Sequence, residues 1–191
     1  LGEKSFYLGT FFLSSALPIS LFFFLISIIC SIYFEKIYKL NKYNFLLLIC
    51  SGLMIISSIK SINNFDYLNS INFQDKSKII IDLLNWIPLF LFFLSSQRYL
   101  KTSKNRRLFG QILISGSIPV IISCILQYWF KIYGPFETLN GLIIWFQKKR
   151  VYSGVTGLFN NQNYTGIWLT TFLPFLITEF VNFKKDIKKK P

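Results

Sequence analysis

Five stretches of this chain carry no charge at all: residues 5–34, 43–59, 83–97, 108–130 and 151–178. An uncharged apolar run of about 17–25 residues is what a hydrocarbon core about 30 Å thick demands of a helix. The alternative, a soluble domain, would have to hide 22 Phe within 191 residues, more than an interior of that size normally takes. The pattern predicts an all-α, polytopic helical membrane protein. It forms one membrane domain over 1–191 with spans at about 7–33, 44–60, 79–97, 108–130 and 165–182. Starting the third span near Ile79 places Asp82 at the interface. The first run accommodates either one tilted span or a short helical hairpin broken around Leu17–Pro18, and both readings stay open.

The charges between the runs predict an orientation. Residues 35–42 hold three Lys, 98–107 hold five basic residues and 179–191 hold five Lys. These segments alternate with the others, so all three fit on one side, and the positive-inside rule makes that side the cytoplasm. Segments 60–82, with three Lys against three Asp, and 131–164 are then external. Trp86, Trp129, Trp145 and Trp168 fall on the external halves of spans or in the external loop, as an aromatic belt would.

Several function classes recede. The net charge of +13 is split among loops rather than gathered on one soluble face, which argues against nucleic acid as a partner. The chain has no His, the commonest general base and metal ligand. Cys30, Cys50 and Cys124 each sit alone in an apolar run, so neither a disulfide nor a metal site is expected. No cleavable signal peptide is expected, because the first apolar run is too long for one. Leu1 in place of Met points to a fragment, a processed chain or an unusual start codon. Pro18, Pro88, Pro119 and Pro174 fall in apolar runs and read as kinks or local breaks.

The external segment 131–164 has internal structure. Gly134–Pro135 reads as a breaker leading to Thr138 as a helix cap. The patch "LIIWF" is too short to span and reads as an interfacial segment. From Arg150 the chain becomes "RVYSGVTGLFNNQNYTG", rich in glycine and amide, just before the fifth span. That span begins near Tyr164 with its N-terminus outward, where unsatisfied N–H groups and the dipole favour anions. Gly154 and Gly157 allow close backbone approach. Asn160, Asn161 and Asn163 offer amides that cap the helix or bond a ligand's hydroxyls; the bland reading of Asn163 is a plain cap, which does not exclude a ligand role. Arg150 supplies a planar fork suited to phosphate oxygens, one of four Arg against seventeen Lys. The bland reading makes Lys148, Lys149 and Arg150 headgroup anchors. The sequon Asn163-Tyr164-Thr165 lies too near the membrane to be modified.

This stretch resembles the motif of the O-antigen ligase and polysaccharide polymerase-like membrane proteins. In that family an Arg precedes a Gly, a short apolar run, Asn-Pro-Asn and a Leu- and Pro-rich span. Here it reads Arg150, Gly154, Gly157-Leu158-Phe159, Asn160-Asn161-Gln162-Asn163 and Leu173-Pro174. Gln162 stands where the family usually has Pro. The family's second half, with further spans and an external loop bearing Arg and a catalytic His, has no counterpart, so the chain resembles an N-terminal half and is expected to be inactive alone. The resemblance implies transfer or polymerisation of glycan from a polyprenyl diphosphate carrier to an acceptor glycolipid, at the outer face of the bacterial inner membrane. It implies no metal and no cofactor. Arg150 would stabilise the departing diphosphate, with Gly154, Gly157, Asn160, Asn161 and Asn163 around it. The acids on that side, Asp66, Asp75, Asp82 and Glu137, offer no marked base.

Two other readings compete. A basic, amide-lined vestibule also suits a small-anion transporter of the bicarbonate type. Against it, the spans show no central charge, and Gln111 and Gln127 lie near the ends of the fourth. The chain also fits a non-catalytic membrane subunit whose loop meets a partner.

Overall fold

A computed structural model describes residues 1–34, 42–63, 76–138, 143–145 and 154–188. The helices are α1 (Gly2–Phe12), α2 (Leu17–Phe34), α3 (Lys42–Asn63), α4 (Lys76–Tyr99), α5 (Ser103–Trp129) and α6 (Gln162–Lys188). A two-stranded hairpin, β1 (Phe136–Thr138) and β2 (Ile143–Trp145), interrupts the last connection. Four helical stretches are long and apolar enough to cross a membrane: Asn44–Asn63, Lys78–Tyr99, Ser103–Trp129 and Gln162–Lys184. The chain is a multi-pass helical membrane protein. These four match the last four apolar runs, and their helices continue into the polar flanks.

The first run is broken, as the hairpin alternative has it. α1 stops at Phe12, and the Phe12 carbonyl accepts from the N–H groups of Ser15 (3.2 Å) and Ala16 (2.8 Å). Pro18 then lies in the first turn of α2, where its missing N–H costs nothing. Hydropathy alone does not register this break, because Leu13–Leu17 is as apolar as a span interior.

Two compact units emerge, residues 28–98 and residues 1–27 with 99–191. In the first, Gln97 Nε2 donates to Asn44 Oδ1 at 2.9 Å, tying the C-terminal end of α4 to the start of α3. Pro88 is accommodated inside α4. Most large apolar side chains of α3 and α4 are left uncovered by protein, as expected of surfaces that face lipid.

In the second unit α5 is the hub. α1 runs parallel to its first half: Asn105 lies by Glu3, Phe109 stacks near Phe6 (5.9 Å between centroids), and Ser14 Oγ donates to the Gly116 carbonyl at 2.6 Å. Gly116 has no Cβ for a reason, since one would run into the Phe11 carbonyl oxygen. α2 turns back along α1, where Ser20 Oγ donates to Gly9 O at 2.7 Å, and Tyr99 Oη donates to Ser27 O at 2.8 Å. α6 runs antiparallel to α5, from Trp168 beside Ser117 (3.0 Å) to Glu179 beside Arg107 (3.0 Å).

One local expectation is corrected: Thr138 does not cap a helix but ends β1. Ile143–Trp145 of "LIIWF" forms β2. Phe136 pairs with Trp145 and Thr138 with Ile143. Aromatic and β-branched residues favour such pleated pairing over a short helix.

Candidate functional site

The glycine- and amide-rich segment is described from Gly154 onward. Its anchor is Gln127, near the end of α5 and only 1% exposed. Gln127 Oε1 accepts from the backbone N–H of Thr156 (2.8 Å) and of Gly157 (3.0 Å), and Nε2 donates to Thr156 Oγ1 (3.0 Å). One side-chain amide thus takes the place of a β-strand neighbour for two loop residues. Buried polar backbone must be satisfied this way in a membrane, where no water substitutes. Thr165, also buried, donates from Oγ1 to the Thr156 carbonyl and ties the loop to α6.

Gly157 has φ +56, and a Cβ there would lie 3.0 Å from Cys124 Sγ. Both backbone sign and space therefore require glycine. The Phe159 N–H donates to Thr156 O at 3.0 Å, closing a turn, and Leu158 is buried. Trp168 sends its indole N–H to Ser117 Oγ at 3.0 Å and sets its ring near Phe159 (6.1 Å). Its polar edge is spent on α5 rather than offered to a headgroup.

Of the three Asn able to cap the helix, Asn161 does so and Asn163 does not. Asn161 precedes α6, its Oδ1 accepting from Asn163 N (3.0 Å) and its carbonyl from Tyr164 N (3.1 Å) and Thr165 N (3.4 Å). The first-turn donors expected to face an anion are therefore satisfied at Asn163, Tyr164 and Thr165. Asn163 sits one residue inside the helix and is exposed, as are Asn160 and Gly154. Gln162 lays its side chain against Gly154, where a Cβ would collide with it. Its Oε1 is buried with no hydrogen-bond partner among the described residues.

Of the six candidate residues, five are brought together: Gly154, Gly157, Asn160, Asn161 and Asn163 lie on one loop and its helix start. Arg150 lies outside the described residues, as do Asp66 and Asp75. Asp82 is on α4 in the other unit, and Glu137 is in β1 opposite Ile144. Among the described residues no group of His, Cys, Asp and Glu is placed to hold a metal. The described part of the site is an uncharged hydrogen-bonding shelf: it can orient a polar ligand but supplies neither a base nor a charge.

Gln127, Thr156, Thr165 and Trp168 were not singled out by sequence reasoning as site residues. For Gln127 a signal existed, since a polar side chain in an apolar run must find a partner. A second cluster lies at the opposite end of the α5–α6 pair. There Arg107 Nε donates to Glu179 Oε1 at 3.0 Å, and Gln111 Nε2 to Glu179 Oε2 at 3.1 Å. The fold and this shelf define a multi-pass helical membrane protein with a loop built into the end of a helix pair. No family model, curated protein or solved structure matches the chain.

Proposed function

We propose that the segment from Arg150 to Asn163 forms one wall of a lipid-diphosphate site in an O-antigen ligase- or polymerase-like glycosyltransferase. The site faces the outer side of the bacterial inner membrane, with the basic segments 35–42, 98–107 and 179–191 in the cytoplasm. The observation that carries this reading is the Gln127 clip. It holds Thr156 and Gly157 on α5 and leaves Asn160 and Asn163 exposed, 10 and 13 positions after Arg150 in the sequence. A preformed loop spares a ligand the entropy of ordering it. Arg150 stabilises the departing diphosphate, and Asn160 and Asn163 hold sugar or phosphate oxygens. The donor is a polyprenyl diphosphate-linked glycan and the acceptor a glycolipid hydroxyl.

Binding of a labelled polyprenyl-diphosphate sugar to the detergent-solubilised chain tests this directly. Arg150→Lys is expected to weaken binding, because an ammonium cannot reproduce the bidentate contact; undiminished binding would remove Arg150 from the site. A second reading, a small-anion transporter component, draws support from the depth of the loop. Gly157 lies against Val120 and Cys124, one to two turns beyond the middle of α5, and transporters place irregular backbone toward the midplane. Anion uptake by proteoliposomes without any polyprenyl-diphosphate binding would favour that reading.

A further inference from the structure

The buried face of α5 is one continuous stripe, Gly110, Leu113, Gly116, Ser117, Val120, Ser123 and Gln127. Two segments lie along α5 in succession. Phe6 to Ser14 follow residues 109–116, and Thr156–Gly157 follow residues 120–127. α1 reaches no further than Gly116, the middle residue of Ser103–Trp129. Its 11 residues extend about 16 Å, half of a hydrocarbon core of about 30 Å. The contacts of Ser20 with Gly9 and of Ser27 with Tyr99 then bring the chain back toward its starting end.

Backbone that leaves a helix at mid-depth persists only where protein satisfies it. Here protein supplies such partners. The Ser15 and Ala16 N–H groups bond to Phe12 O, Ser14 Oγ bonds to α5, and Ser14 and Ala16 are 7% and 4% exposed.

We propose that residues 2–27 are a re-entrant hairpin. It enters and leaves the membrane at the face that carries Arg106 and Arg107, and its Ser14–Ala16 tip closes the floor beneath the glycine loop. Glu3 and Lys4 share that face with Lys104, and Asn160 faces the other. Tip and loop are separated along α5 by one turn, Gly116 to Val120, about 6 Å of rise. The tip is therefore a seal one helical turn from the loop's polar groups. It depends on Gly116, because any side chain there pushes against Phe11 and lifts the tip. This topology does not depend on what the loop binds, and it stands or falls separately from the transferase reading.

The test uses the full chain in sealed vesicles, with Cys30, Cys50 and Cys124 replaced by Ala and single cysteines probed by a membrane-impermeant maleimide. Lys4→Cys and Lys104→Cys should react from one side and Asn160→Cys from the other, with Ser15→Cys protected from both. Reaction of Lys4→Cys from the Asn160 side would establish a single span and overturn the hairpin. Adding Gly116→Leu should expose Ser15→Cys to reagent on the Asn160 side, several-fold faster than in the parent. Gly116→Ala, which demands a smaller shift and keeps the test open if the leucine variant does not fold, should show a smaller increase. Protection unchanged in every folded Gly116 variant would overturn the seal.

Discussion

The two ends of the α5–α6 pair solve the same problem with opposite chemistry. At the loop end a neutral amide, Gln127, is almost fully buried and satisfies two backbone N–H groups. At the basic end Arg107 and Glu179 form an ion pair whose side chains remain 47% and 22% exposed. Magnitudes explain the division. Orphaning a buried donor costs about 1–3 kcal/mol, whereas an exposed ion pair is worth about 0–1 kcal/mol. A buried charge would add a desolvation cost of several kcal/mol, so charge is kept where water reaches and neutral amides where it does not. The difference teaches that the loop end is the mechanically committed one, and that the basic end tolerates change.

The largest expected effect that sharpens this contrast is Gln127→Leu. It leaves the Thr156 and Gly157 N–H groups unpaired and should cost about 2–5 kcal/mol. Denaturant unfolding in mixed micelles reads the loss, and amide exchange at Thr156 and Gly157 should rise with it. Next is Gly157→Ala, which forces a side chain into φ +56 against Cys124 and should cost about 1–2 kcal/mol. Asn161→Ala removes the cap of α6 at about 1 kcal/mol, while Asn163→Ala should stay near the parent; the reverse order would return the cap to Asn163. Smallest is Arg107→Gln, expected below about 1 kcal/mol, with a double-mutant cycle against Glu179→Gln giving a coupling of the same size. If Arg107→Gln destabilised more than Gln127→Leu, the contrast would be broken.

The parts legible in the sequence follow from this division as well. Uncharged runs located α3 to α6, because crossing a membrane is a local, additive demand on about 20 residues. In the sequence Gly157 reads as room for a ligand to approach the backbone; its φ of +56 and its packing on Cys124 depend on α5 and are not legible there. The break in the first run was not decided, since what holds it is a bond between Ser14 and Gly116, 102 residues apart. Hydropathy reports removal from water and does not distinguish lipid from protein as the new neighbour. Gln127 was read as an end-of-span residue because its partner, Thr156, is 29 positions away. Which Asn caps α6 is not legible in the sequence, because three Asn in four residues match one cap pattern equally well and tertiary contacts choose among them. Thr138 reads as a helix cap in the sequence for a similar reason: short pieces take their form from their partner strand.

The most direct test of the central claim is to locate a photoreactive polyprenyl-diphosphate sugar on the chain in native membranes. Crosslinking confined to the peptide covering residues 150–163, lost in Arg150→Ala and competed by unlabelled donor, is the result predicted here. Label concentrated instead on α3 and α4, or at Arg107 and Glu179, with Arg150→Ala indifferent, would contradict it.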